Sequence, residues 1–171
     1  AKKGVSVVVG TTGFTDEQRD EMETAIEENE IGAIISSNMS VGVNLFFKLV
    51  EIAAEKLEDY DMELVEAHHN KKVDAPSGTA MTAAKKAAKA SGKDFEKSAK
   101  FGRPKGEIGE RTKEEIGIHS IRGGDIAGDH TFMLAGPSER LELTHRAQSR
   151  QTFVTGVLKA IRHIVKNKEP G

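Results

Sequence analysis

Val5-Ser6-Val7-Val8-Val9-Gly10-Thr11-Thr12-Gly13-Phe14-Thr15-Asp16-Glu17-Gln18 sets the architecture that the rest of the chain has to complete. Four valines around one serine, with no polar alternation, read as a strand covered on both faces, the pattern of a parallel sheet. Gly10 to Gly13 make a turn. Thr15 followed three residues later by Gln18 matches a capping box, so the spacing predicts a helix running to about Glu28 with Met22, Ala25 and Ile26 inward. A second short buried strand follows Gly32, over residues 33–36, and ends at Ser37-Asn38. This β-α-β order predicts two parallel strands joined by a right-handed crossover. Ligands of such sheets bind at the carboxyl ends of the strands, which assigns Gly10, Thr11 and Thr12 together with Ser36, Ser37, Asn38 and Met39 to one edge.

The pattern then changes. Val43, Phe46, Phe47, Val50, Ala54 and Leu57 recur at helical spacing and predict a helix over 41–57. Strands are expected over 62–66, 114–121, 129–135 and 140–144, the last two joined by the hairpin-like Gly136-Pro137-Ser138. A helix over 78–90 ends at Ser91-Gly92, and a polar stretch punctuated by Gly102, Pro104, Gly106 and Gly109 reads as a loop to Lys113. Phe153, Val154, Val157, Leu158, Ile161, Ile164 and Val165 mark a closing amphipathic helix. The expected fold class is α/β followed by α+β, a parallel β-α-β segment and then a mixed four-stranded sheet.

Composition narrows the function classes. With 25 Lys+Arg against 27 Asp+Glu the formal net charge is −2, so no strong field favours nucleic acid or an anionic membrane. At 37% hydrophobic and 30% charged the chain is ordinary globular material. It has no cysteine, which excludes disulfide and thiolate chemistry and is compatible with a cytoplasmic location. No apolar run reaches the ~18 residues that span a bilayer. The apolar stretch after Ala1-Lys2-Lys3-Gly4 is too short for a signal peptide, and the unaccompanied first strand is expected to belong to a larger chain.

Chemistry concentrates in Glu66-Ala67-His68-His69-Asn70-Lys71-Lys72-Val73-Asp74-Ala75-Pro76-Ser77-Gly78-Thr79-Ala80. A strand delivers two histidines and a lysine into a loop, and Pro76-Ser77-Gly78-Thr79 opens a helix whose first N–H groups lack intrahelical partners and attract an anion. Neutral His accepts a proton and charged His donates one near neutrality, while Lys adds a second donor. On an extended strand end His68 and His69 point to opposite sides and are expected to have different jobs. The bland readings are a loop histidine that only satisfies hydrogen bonds and a Pro-Ser pair that only caps a helix. Gly78 favours the anion seat, because a residue without Cβ allows close approach to the backbone. Asp74 either fixes the loop or pairs with a lysine. A metal hydrolase is the weaker alternative, since no His-x-x-x-His or His-Glu-x-x-His pair occurs and adjacent strand histidines diverge. Arg111, His119, Arg122, Gly123, Gly124, Asp125 and His130 are expected to shape the sheet end and the substrate cavity, or to pack subunits. No complete dinucleotide or P-loop glycine signature is present, and Gly10-x-x-Gly13 alone reads equally as a tight turn.

The segment from Glu66 to Ala80 resembles the signature of the 4-hydroxy-tetrahydrodipicolinate reductase (dihydrodipicolinate reductase) family. Val9-Gly10-Thr11-Thr12-Gly13-Phe14, Ser37-Asn38-Met39-Ser40-Val41-Gly42-Val43-Asn44 and Arg122-Gly123-Gly124-Asp125-Ile126-Ala127-Gly128-Asp129-His130-Thr131 are similar to its nicotinamide-side loop, interdomain hinge and substrate-domain sheet. The resemblance implies a homotetrameric reductase of lysine and diaminopimelate biosynthesis that uses NADH or NADPH, with no nucleic-acid or membrane partner. It implies His68 as acid/base residue, Lys72 as proton donor, and His69, Gly78 and Thr79 as ligands of a dicarboxylate substrate. Gly10, Thr11, Thr12, Ser36, Ser37, Asn38 and Met39 would line the nicotinamide, and no metal is implied. Residues 1–39 and 147–171 would belong to a Rossmann-type dinucleotide-binding domain, and 40–146 to a substrate and tetramerisation domain. The family's first strand, its phosphate-binding glycine-rich turn and its closing C-terminal strand have no counterpart in this sequence. A truncated, non-catalytic module that binds a dicarboxylate and tetramerises is the alternative expectation.

Overall fold

The computed structural model of the chain describes residues 3–11 and 13–167, so Thr12 of the expected nicotinamide edge lies outside the described residues. The chain divides into two compact units, Ala1–Val41 with Gln151–Gly171, and Gly42–Arg150. In the first unit β1 (Val7–Val9) is followed by α1 (Asp16–Glu28) and β2 (Ala33–Ile35). The capping box is present: Gln18 N–H donates to Thr15 Oγ1 at 3.3 Å, and Thr15 N–H donates to Gln18 Oε1 at 3.0 Å. The two strands pair in parallel, Val7 opposite Ala33 and Val9 opposite Ile35. Ile26, Ile31 and Ala33 form a small core on which Val7 and Ile35 pack. The first strand is shorter than the valine run and only half-buried, and Val5 is exposed. The reason is the partner, since a three-residue β2 supplies hydrogen bonds for no more than three residues of β1.

The second unit contains nearly all of α2 (Val41–Lys56), then β3 (Asp61–His68), α3 (Gly78–Ala90), α4 (Phe95–Ser98), β4 (Ala99–Phe101), β5 (Ile116–Arg122), β6 (Asp129–Gly136) and β7 (Glu139–Arg146). The sheet order is β4-β5-β3-β6-β7, with the first three parallel and the last two antiparallel. The sheet is therefore mixed, but five-stranded rather than four-stranded. The extra edge strand, Ala99 to Phe101, sits inside the stretch expected to be loop. Three residues are too few to show periodicity, and it is pairing with β5 that makes them a strand.

Alternation along β3 and β6 turns Met62, Leu64, Phe132 and Leu134 to one face, where they meet Ile116, Ile118, Phe46, Phe47 and Val50 in a single core. The contribution of α3 to that core is five alanines, Ala80, Ala83, Ala84, Ala87 and Ala88, all at 0% exposure. Side chains this small let the helix lie close to the sheet, which brings its first turn down to the end of β3. The hairpin between β6 and β7 has Pro137 and Ser138 as its loop, and the Tyr60 ring lies where a Cβ on Gly136 would stand.

The last helix, α5 (Gln151–Asn167), returns to the first unit and packs on β1 and β2. Its approach is set by Gly156, because a Cβ there would fall 1.7 Å from the carbonyl oxygen of Met39. Ser40 Oγ and Thr152 Oγ1 hydrogen-bond nearby at 3.2 Å. Gly156→Ala must push backbone apart and is expected to lower stability by about 2–3 kcal/mol, read as a shift in the urea midpoint. No helix among the described residues is long and apolar enough to cross a membrane.

Candidate functional site

Glu66 occupies the third buried position of the series Met62, Leu64, Glu66 and is itself 0% exposed. An isolated carboxylate in such a place is costly, so its partners define the local structure. Strand register puts Arg122 opposite His68. From there Arg122 Nη1 and Nη2 donate to Glu66 Oε2 and Oε1 at 2.9 and 2.8 Å. Ser77 N–H, at the start of α3, donates to Oε1 at 3.1 Å, and His68 Nδ1 lies 2.6 Å from Oε2. Burial alone would raise the Glu66 pKa, but the Arg122 and His68 hydrogen bonds outweigh it and hold the carboxyl at about 2.

His68 is a strand-end residue with its ring turned inward. Desolvation pushes its pKa down, the Glu66 hydrogen bond and charge oppose that, and the cations of Lys72 and Arg122 add to it. The His68 ring meets His130 edge to face, with centroids 5.2 Å apart. His130 Nε2 lies 3.1 Å from Ser77 Oγ, and the same hydroxyl caps α3 by accepting Ala80 N–H at 3.1 Å. Burial, then the neighbouring His68 charge, pushes the His130 pKa down to about 3. The unfolded chain therefore takes up this proton near pH 6.5 and the folded chain does not. His130 stabilises the fold fully above pH 6.5, and that contribution is lost as pH falls from 6.5 towards 3. Urea midpoints of His130→Phe are expected to be flatter with pH than those of the parent over the upper part of this window.

The loop after β3 is tied at several points. Gly123 N–H donates to His68 O at 2.9 Å and Asn70 N–H to Gly124 O at 3.1 Å. Lys72 Nζ donates to both oxygens of Asp74 at 2.8 and 2.9 Å, while Asp74 O accepts from Arg122 at 2.7 Å. Asp74 thus both pairs with a lysine and fixes the loop. His69 takes a different direction from His68, its Nε2 lying 3.0 Å from Arg150 Nη2. It lines a cleft of about 480 Å³ with Asn70, Gly124, Asp125, Gln148 and Arg150. A Cβ on Gly78 would meet nothing within 4 Å, so the backbone at the start of α3 is approachable. Thr79 is buried, at 8% exposure. His68, the Lys72 loop and the start of α3 are therefore gathered around the Glu66–Arg122 pair, and His69 stands in the adjoining cleft.

In the first unit Gly10 and Met39 meet at the carboxyl edge of β1 and β2, where a Cβ on Gly10 would lie 3.4 Å from the Met39 side chain. Thr11 follows Gly10 and is exposed. Ser36 N–H donates to Val9 O at 3.1 Å, Ser36 Oγ donates to Asn38 O at 2.8 Å, and Asn38 Oδ1 accepts Ser40 N–H at 2.8 Å. Ser37 lies within this hydrogen-bonded loop.

Sequence reasoning assigned no task to Glu66 or Arg150 individually, gave Ser77 no role beyond opening the helix, and put Arg122 and His130 at the sheet end and substrate cavity or in subunit packing. One signal was available for Glu66, a charge in a buried slot of an alternating strand. No sequence signal pairs it with Arg122. His119 Nε2 lies away from this cluster, 2.7 Å from Glu63 Oε2. Among the described residues no three His, Asp or Glu side chains converge as metal ligands.

Two family models, "Dihydrodipicolinate reductase, N-terminus" and "Dihydrodipicolinate reductase, C-terminus", match residues 1–39 and 42–171. The 4-hydroxy-tetrahydrodipicolinate reductases of Methanocaldococcus jannaschii and Methanococcus maripaludis strain C5 are each 57% identical to the chain over 169 residues, or 99% of it. That of Methanobrevibacter smithii is 56% identical over 161 residues. A dipicolinate-bound dihydrodipicolinate reductase from Paenisporosarcina sp. TG-14 superposes with a TM-score of 0.74 at 34% identity, covering 98% of this chain and 62% of that one. The chain spans 61% and 62% of the length of its Methanocaldococcus and Methanococcus relatives.

Proposed function

We propose that this chain, which belongs to the dihydrodipicolinate reductase family, carries the substrate site of a reductase acting on 4-hydroxy-tetrahydrodipicolinate in lysine and diaminopimelate biosynthesis. The observation that carries this reading is the convergence of His68, Lys72 and the open start of α3 on the buried Glu66–Arg122 pair. A dicarboxylate needs cations and backbone N–H groups, and protonation of a reduced imine needs an acid beside them. In this reading Gly78 and Thr79 receive one carboxylate, His69 binds the substrate from the cleft, Lys72 donates a proton and His68 exchanges one. Residues 40–146 form the substrate and tetramerisation domain, and 1–39 with 147–171 belong to the dinucleotide-binding domain.

The partner in reduction is NADH or NADPH, whose nicotinamide supplies a hydride when bound. The residues present fit such a ring, because Gly10 and Met39 meet at the carboxyl edge of two parallel strands. Gly10, Thr11 and Thr12 with Ser36, Ser37, Asn38 and Met39 would line it. Assembly as a homotetramer is supported by the sheet face turned away from the core, which carries Val65, Thr131 and Met133.

Calorimetry with pyridine-2,6-dicarboxylate tests the site, and a folded protein that ignores this ligand would overturn the reading. Thr79→Val is expected to weaken that binding by about 1–3 kcal/mol, the worth of a hydrogen bond to a charged acceptor. The alternative reading is a dicarboxylate-binding and tetramerising module without turnover. NADPH oxidation in the presence of substrate separates the two.

A further inference from the structure

We propose that Glu66 is the positioning residue of this site: it holds His68 as the Nδ1–H tautomer, so that Nε2 is the bare nitrogen presented to a ligand, and it fastens that imidazole to the start of α3. The inference rests on the reading of His68 as the proton-exchanging group and adds the atom that does it and the residue that selects the atom.

The geometry leaves little freedom. Glu66 Oε1 is engaged by Arg122 Nη2 at 2.8 Å and Ser77 N–H at 3.1 Å, and Oε2 by Arg122 Nη1 at 2.9 Å and His68 Nδ1 at 2.6 Å. An ionised carboxylate has no hydrogen to give, so a contact this short requires the hydrogen on Nδ1. In the neutral ring Nε2 then carries the lone pair. On the Nε2 side stands Gly128, where an added Cβ would lie 3.0 Å away, the separation of a hydrogen-bonded heavy atom. Glycine at that position keeps a methyl group out of the seat that a ligand atom or water on Nε2 needs. Ala147 N–H donates to Gly128 O at 2.9 Å and fixes the backbone there.

The other charges facing the ring make the same residue necessary. Arg122 and Lys72 are cations that disfavour an imidazolium, and the neighbouring His130 is neutral. Among the described residues Glu66 is the one anion in contact with His68, and without it a proton arriving at Nε2 would meet net positive surroundings. Because Arg122 also binds Asp74 O, the same ion pair registers the Lys72 loop against His68 and α3.

The test is the tautomer of His68, read from nitrogen-15 and proton correlations at pH 7.5 with the resonance assigned by its loss in His68→Gln. The wild-type chain should show the Nδ1–H form in at least about tenfold excess, the worth of a hydrogen bond to a charged acceptor. In Glu66→Gln the amide nitrogen should take the Oε2 position, because Oε1 faces two obligate donors, Arg122 Nη2 and Ser77 N–H, and Oε2 one, Arg122 Nη1. His68 Nδ1 must then accept, and the tautomer should reverse to Nε2–H. A wild-type ring in the Nε2–H form, or a Glu66→Gln ring that keeps Nδ1–H, would overturn the proposal. If Glu66→Gln does not fold, Arg122→Lys retains the carboxylate and must retain the Nδ1–H form, and reversal there would overturn it equally. Titration of the wild-type sample with pyridine-2,6-dicarboxylate keeps the two readings apart. Absence of binding sinks the proposed substrate site, whereas the tautomer alone judges the role of Glu66.

Discussion

Arg122→Ala is expected to lower the unfolding free energy by about 3–5 kcal/mol, the cost of leaving a buried charge without its partner. Glu66 is 0% exposed and would keep Ser77 N–H, His68 Nδ1 and the Ser120 side chain as hydrogen-bond partners. Two guanidinium hydrogen bonds would go, and with them the bond that holds Asp74 O. Urea denaturation at pH 7 measures the loss, and a change under about 1 kcal/mol would show that Arg122 does not compensate the carboxylate. The acid side supplies a second signature. With Arg122 present, Glu66 has a folded pKa of about 2 against an ordinary value of 4.5, so its stabilisation is complete above 4.5 and is lost as pH falls towards 2. Without Arg122 the folded pKa rises towards the ordinary value, and the variant, less stable at pH 7, should lose less further stability than the parent as pH falls below 4.5.

Lys72→Ala is expected to do the reverse, sparing the fold and removing the reaction. Its side chain is 19% exposed and its partner Asp74 is 56% exposed, and an ion pair of that kind contributes at most about 1 kcal/mol. As the proposed proton donor it should be worth about 10²–10⁴-fold in turnover, measured as NADPH oxidation with the cyclic imine in protein competent for catalysis. Loss of the cation should also let the His68 pKa rise, since Lys72 is one of the charges that depresses it. A pH–rate profile that moves to higher pH in Lys72→Arg less than in Lys72→Gln would support the charge as cause. Unfolding of Lys72→Ala with turnover per folded molecule intact would make the residue structural.

The parts of the fold that were legible in the sequence are those written in local patterns. The capping box at Thr15 and Gln18, the helix carrying Val43, Phe46, Phe47 and Val50, and the alternation that makes β3 and β6 need only neighbours within a few residues. The short β4 escaped because a three-residue edge strand has no period of its own and exists through its pairing with β5. The separation of His68 from His69 was legible from strand geometry, but their partners, Glu66 and Arg150, were not. Asp74 was readable as loop anchor or lysine partner, and only coordinates show it serving as both.

By itself the sequence determined the order of the longer elements, the two kinds of sheet, the family, and the cluster of His68, Lys72 and Gly78 within eleven residues, because periodicity, capping and motif spacing are local properties. The tertiary structure decided which charge sits opposite which. Arg122 is 56 residues from Glu66 in sequence and reaches it only because parallel register places it across from His68. An ion pair buried at a strand end depends on that register and on the close approach of an alanine-faced helix, and neither can be computed from a residue's own neighbours.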